Sequence, residues 1–189
     1  YDCCQKPVYE LGLLAEAEEN LVKMAARLKF RGVEELILLC PNCYHFLKGR
    51  LDIPMTTVYR KLKELGEGLP FRNERIPVYV PCPDREEKEM FRELGIYLEG
   101  KVEEPFCHVQ CCGLGGCAGV REPELSQRMA DTAREQDGKL FTYCASCVSS
   151  FRRKGMKEAY HLLPLILGIE EKVPLGIRPF LNRAGKKLW

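Results

Sequence analysis

Leu14, Ala17, Leu21, Met24 and Leu28 recur at alternating steps of three and four residues, the spacing that lays one apolar stripe along an amphipathic helix. Gly32 is placed to stop that helix. The pattern then tightens: Glu35-Leu-Ile-Leu-Leu-Cys40 is a short apolar run and predicts a buried strand with a cysteine at its carboxyl end. The same order returns further on. Glu122-Pro123-Glu124 opens a helix through Leu125, Met129 and Ala133, Gly138 closes it, and Lys139-Leu-Phe-Thr-Tyr143 is the matching strand. Both series end alike, in Val58–Gly66 and Tyr160–Gly168, each nine residues long and finishing on Leu-Gly, which predicts two short helices with a glycine stop. Between the series, Arg75-Ile-Pro-Val-Tyr-Val-Pro81 alternates as a strand that puts Cys82 at its end, and a charged helix follows from Asp84 to Leu94.

The cysteines repeat in step with these elements. Cys3-Cys4 leads to Cys40-Pro-Asn-Cys43 with 35 residues between Cys4 and Cys40, and Cys111-Cys112 leads to Cys144-Ala-Ser-Cys147 with 31 between Cys112 and Cys144. The offset is 108 at the pairs and 104 at the C-x2-C motifs. An α/β fold of two pseudo-symmetric repeats is therefore expected, each a small, mostly parallel sheet with flanking helices and a cysteine-lined rim. The first repeat would span residues 1–71 and the second 72–189, the latter ending in a basic tail. Subtracting the offset from Cys82 gives a position before Tyr1, so the first repeat is expected to lack its leading strand and cysteine. On that reading the chain is a fragment or one product of a split.

Composition narrows the function. A net charge of +2 on 189 residues, with no basic stripe carrying interleaved aromatics, argues against nucleic acid as a partner. The longest apolar run, Leu162 to Ile169, is broken by Pro164 and Gly168, so no membrane span is expected. The opening residues lack the basic and then apolar segments of an export signal, which makes the cytoplasm the expected compartment, with membrane association only through a partner. Eleven cysteines in a reducing compartment point to metal or redox chemistry rather than disulfides.

A C-x2-C motif places two soft thiolate donors on one local turn, and a second segment must supply the rest. Cys82, Cys111, Cys112, Cys144 and Cys147 would meet on one sheet rim, five thiolates where an ordinary cubane or a zinc site needs four. Gly113, Gly115 and Gly116 would let backbone amides crowd the sulfurs and so help set a reduction potential. Zinc uses the same C-x2-C spacing and remains the alternative, more so for Cys3, Cys4, Cys40 and Cys43. Cys107 and Cys117 read as spare thiols, and His45, His108 and His161 as core or surface residues without a catalytic role. The tail from Leu175 to Trp189 mixes Arg178, Arg183, Lys186 and Lys187 with Phe180, Leu181, Leu188 and Trp189, a solvated end or a docking segment for a partner protein.

This pattern, a lone Cys, then Cys-Cys-Gly, then C-x2-C, resembles that of the cysteine-rich CCG domain family. Its members include the B subunit of heterodisulfide reductase, a related component of archaeal-type succinate dehydrogenase, and iron-sulfur subunits of glycerol-3-phosphate, glycolate and lactate oxidising systems. The resemblance implies a noncubane 4Fe-4S cluster on Cys82, Cys111, Cys112, Cys144 and Cys147, and a 4Fe-4S cluster or zinc on Cys3, Cys4, Cys40 and Cys43. It also implies catalysis within a larger oxidoreductase: electrons from a flavin or iron-sulfur partner subunit, and a disulfide as substrate. Gln5 departs from the family's Cys-Cys-Gly.

Overall fold

The structure, a computed structural model, describes residues 3–170; the basic tail lies outside the described residues. A short helix α1 (Lys6–Glu10) leads into α2 (Leu14–Phe30), which turns Ala17, Leu21 and Met24 inward as the stripe predicts, while Leu14 stays about half exposed. There follow β1 (Leu36–Leu38), α3 (Pro41–Leu47), β2 (Met55–Thr57) and α4 (Val58–Leu65). The linking segment consists of β3 (Phe71–Pro77), a 3-10 turn at Cys82–Asp84, α5 (Glu89–Gly95) and β4 (Leu98–Glu103). A 3-10 turn at Gly115–Cys117, α6 (Ala118–Arg121), α7 (Pro123–Gln136), β5 (Lys139–Thr142), α8 (Ala145–Arg153), β6 (Glu158–His161) and α9 (Leu162–Ile166) complete the described fold.

All strand pairs are parallel, as expected of an α/β fold whose connections carry helices. The run β1–α3–β2–α4 is repeated by β5–α8–β6–α9 with its register kept. Leu36 pairs with Met55, Ile37 with Thr56 and Leu38 with Thr57; 104 positions on, Leu140 pairs with Ala159, Phe141 with Tyr160 and Thr142 with His161. Even the helix caps correspond. Thr57 Oγ1 accepts from Arg60 N at 3.1 Å, and His161 Nδ1 accepts from Leu163 N at 3.2 Å, each satisfying a backbone donor that the first helical turn leaves open.

The outer edges of the two repeats differ. Beside β5, Val78 bridges to Phe141 and Tyr79 N donates to Phe141 O at 2.8 Å, while Val78 N donates to Glu103 O at 2.7 Å. The four strands β4, β3, β5 and β6 thus lie side by side, and Leu140, Phe141 and Thr142 are buried. Among the described residues β1 pairs with β2 alone. Ile37 and Leu39 are consequently 46% and 52% exposed, so the first strand is half-buried where the sequence predicts a buried one.

Other expectations are corrected by tertiary partners. Tyr160 and His161 end a strand, and the helix expected over Tyr160–Gly168 begins only at Leu162, because alignment on the two Leu-Gly ends misplaces the repeat by two residues. The helix expected from Asp84 starts at Glu89, after Lys88 takes a left-handed φ of 49°. Strand β3 occupies Phe71–Pro77 rather than Arg75–Pro81, with Val78 as a single bridge beyond it. In α7 the inward face is Ser126, Ala130 and Ala133, leaving Leu125 exposed. The main apolar cluster joins Tyr44 and Tyr59 to Ile76, Met90, Phe141 and Leu162, so the two repeats share one core.

Candidate metal centre

Each C-x2-C motif straddles a strand-to-helix turn. Cys40 and Cys144 are the residues immediately before α3 and α8, both extended, at φ/ψ of −96°/121° and −122°/112°. Pro41 fits the first helical position because its missing N–H would have no partner there. Both leading cysteines are thus the N-cap residues of their helices, and neither sulfur makes a capping hydrogen bond to the first turn. Their side chains stand at the position where a capping oxygen is normally found.

The parallel repeats bring both turns to one place. All eleven cysteines are free thiols, and eight of them form a continuous line of contacts, with Cys3 attached to Cys4 at its end: Cys4 to Cys43, Cys43 to Cys40, Cys40 to Cys144, Cys144 to Cys147, Cys147 to Cys112, Cys112 to Cys111 and Cys111 to Cys82. All eight line one cavity of about 290 Å³, together with Lys6, Asn42, Leu114, Gly115 and Ser146. The five second-half cysteines are contiguous along that line, and the Cys40–Cys144 contact joins the halves. Cys3 is exposed and is not on the cavity wall, whereas Cys117, read from sequence as a spare thiol, is. Cys107 and His108 are exposed.

The turn after each cysteine pair explains the glycine and its replacement. Gly113 has φ 74° and its N–H reaches Cys111 Sγ at 3.3 Å. A Cβ there would overlap Ser126 Oγ and lie 3.0 Å from the Ser126 Cα. In the first repeat Gln5 takes the same left-handed conformation, φ 65°, at a cost of about 1–2 kcal/mol for a residue with a Cβ. Its side chain spans Cys3 O at 2.9 Å and Asn20 at 3.3 Å. The departure from glycine therefore leaves the turn intact. Gly115 belongs, with Gly116, to the turn Gly115–Cys117 and lines the same cavity.

Proton sharing follows from crowding. The hydrogen bond from Cys43 holds Cys4 down at about 6, and that from Cys144 helps hold Cys40 down at about 2. Cys43 in turn is pushed well up by its bonds to Cys4 and Cys40. Cys112 and Cys82 hold Cys111 low, and Cys82 and Cys112 are raised in exchange. Cys147 pulls Cys144 down, but Cys40 and burial outweigh it and leave Cys144 at about 12. Cys4, Cys40 and Cys111 are lowered while Cys43, Cys144, Cys112 and Cys82 beside them are raised, because neighbouring sulfurs cannot all ionise without a compensating cation.

One buried carboxylate registers the three cysteine-bearing segments. Asp84 is fully buried, two residues beyond Cys82. Its Oδ1 meets His45 Nε2 at 2.8 Å and Met90 N at 3.2 Å; its Oδ2 accepts from Tyr143 OH at 2.6 Å and Phe91 N at 2.9 Å. His45 follows Cys43 by two positions and Tyr143 precedes Cys144. Burial alone would raise the Asp84 pKa, but these donors outweigh it and hold it below the ordinary value of 3.8. His45 thus has a structural task across the repeats that the sequence does not disclose. His161, beside Cys40, is kept neutral by burial, at about 4.

Soft sulfur donors spread around a cavity, with amide N–H groups aimed at them, suit a multi-atom iron-sulfur group. A single zinc ion would take four such ligands converging at about 2.0–2.3 Å. The residues that fit such a group are Cys82, Cys111, Cys112, Cys144 and Cys147, with Cys4, Cys40 and Cys43 forming a second, three-sulfur wall. The fold and cavity thus define a cysteine-rich α/β module with a metal-binding character. Residues 78–152 match the model of the CCG cysteine-rich domain family, a domain found in subunits of iron-sulfur oxidoreductases. The match takes in all five second-half cysteines. No curated protein matches the chain. No helix among the described residues is long and apolar enough to cross a membrane.

Proposed function

We propose that this chain is an iron-sulfur module of an oxidoreductase, similar to the B subunit of heterodisulfide reductase, in which electron transfer is coupled to thiol-disulfide reduction. The observation that carries this reading is the single cavity on which both C-x2-C turns and both cysteine-pair segments open. A bound 4Fe-4S cluster supplies single electrons at a sulfur surface. The chain holds that surface with Cys82, Cys111, Cys112, Cys144 and Cys147, while Lys6, Leu114 and Ser146 border the space a disulfide would enter. The balanced reaction takes one disulfide, two electrons and two protons to two thiols. The electrons come from a partner subunit carrying flavin or iron-sulfur groups.

The two repeats, residues 1–71 and 72–189, are proposed to hold separate groups, the first on Cys3, Cys4, Cys40 and Cys43. The decisive assay reduces the anaerobic protein, adds a small disulfide, and measures thiol formed together with the electron paramagnetic resonance spectrum. Wild type should form two thiols per two electrons withdrawn and show an altered signal. Cys82→Ala and Cys144→Ala should lose both. An intact cluster that yields no thiol and an unchanged signal would reject disulfide chemistry in favour of a plain electron relay.

A further inference from the structure

The repeats treat the cation at the end of their C-x2-C helix differently. In the second, Lys154 Nζ donates to Cys112 O at 2.8 Å and to Ser150 Oγ at 2.9 Å, and Ser150 Oγ donates to the same carbonyl at 2.6 Å. The ammonium lies close enough to Cys112, Cys111 and Cys147 for their charges to act on it. The constant offset of 104 places Phe46 opposite Ser150 and Arg50 opposite Lys154.

Arg50 is turned elsewhere. It donates to Phe46 O at 2.8 Å, and its guanidinium lies 4.4 Å from the Phe46 ring centroid and 5.5 Å from that of Tyr9. Phenylalanine in place of serine removes the hydroxyl that steers Lys154 to the cysteine pair and supplies an aromatic face instead. Lys6, the cation on the cavity wall, is shared with Glu10 at 3.4 Å and Asn42 at 2.6 Å, and its field reaches Cys82. Fixed positive charge is thus directed at the second-half sulfurs.

We propose that Lys154 is a tuning residue that raises the reduction potential of the group held by Cys82, Cys111, Cys112, Cys144 and Cys147, and that its counterpart Arg50 has no such effect. A reduced cluster carries one more negative charge than an oxidised one. A nearby ammonium in a partly buried site therefore stabilises the reduced form more. The proposal rests on the iron-sulfur reading above.

The test is an anaerobic redox titration of the full chain followed by electron paramagnetic resonance. Lys154→Gln keeps a donor for Cys112 O and removes only the charge; Lys154→Met removes both. Poised at the wild-type midpoint, both variants should be at least tenfold more oxidised, equivalent to 59 mV for a one-electron couple. Lys154→Arg should recover most of the shift, and Arg50→Met should stay within threefold of wild type. Unmoved midpoints in Lys154→Gln and Lys154→Met, with wild-type iron and sulfide content, would overturn this inference alone. A shift in Lys154→Met without one in Lys154→Gln would assign the effect to the hydrogen bond on Cys112 O rather than to the charge and overturn it equally. Wild type lacking iron and sulfide would overturn the underlying reading, and the inference with it.

Discussion

Replacing Asp84 by Asn keeps the shape of the side chain and removes its charge, and the geometry sets the cost. Each carboxylate oxygen meets one side-chain group and one backbone N–H: His45 Nε2 and Met90 N on Oδ1, Tyr143 OH and Phe91 N on Oδ2. An amide presents one oxygen and one NH2. The tyrosine hydroxyl and the imidazole can reverse their roles by rotation or tautomer, but a backbone N–H cannot become an acceptor. Either orientation of the amide therefore leaves one buried N–H facing an NH2 group. An unsatisfied buried donor costs about 1–3 kcal/mol, and more where a charged partner is lost. Asp84→Asn should accordingly lose about 3 kcal/mol, a fall in Tm of roughly 6–12 °C for a chain of this size.

The loss should also depend on pH. Because the folded-state pKa of Asp84 is depressed below 3.8, its contribution is fully present above that unfolded value and disappears as pH falls through the folded one. Urea unfolding of the metal-free, reduced protein at a series of pH values measures both effects. Wild type and Asp84→Asn should differ by the full amount at pH 6–7 and converge as the carboxyl protonates below 3.8. A difference under about 0.5 kcal/mol at pH 7, the ordinary range for a surface substitution, would refute the role given to Asp84.

Gly113→Ala combines a left-handed backbone with overlap on Ser126 and crowding of Lys154, and thermal melts should show a loss of about 3 kcal/mol. Gly115→Ala, whose Cβ would find only Cys111 Sγ at 4.0 Å, should cost less than about 1 kcal/mol; similar losses at the two sites would contradict the geometry. In the metal-free protein, Cys4 should alkylate with an inflection near pH 6, the thiolate persisting above that value and protonating below it. Cys43→Ala removes the donor and should move the inflection toward the ordinary cysteine value of about 8.5, as read by mass spectrometry of labelled peptides.

What the sequence discloses here depends on range. The stripe of α2 and the strand β5 are written in local periodicity, and the duplication is written in cysteine spacing. Met55-Thr-Thr57 and Glu158–His161 are too short to show a period; they are strands because β1 and β5 offer them parallel edges. Leu125 is apolar yet exposed, since the face of α7 that packs inward is chosen by Gly113, whose carbonyl accepts from Ser126 at 2.6 Å. The Asp84 network joins residues 39 and 59 positions apart, and no local pattern marks it. A usable signal did exist: His45, Asp84 and Tyr143 each lie within two residues of a cysteine that the motif selects. The cysteine pattern likewise marked Cys3 as equal to Cys4, although only Cys4 reaches the cavity wall and Cys3 meets it from outside.

The function turns on what the cavity thiols hold. Anaerobically purified protein should be brown and contain iron and acid-labile sulfide in near-equal amounts, at about four of each per loaded repeat as a 4Fe-4S group requires, with both lost in Cys144→Ala. Colourless protein that carries zinc and no sulfide would contradict it.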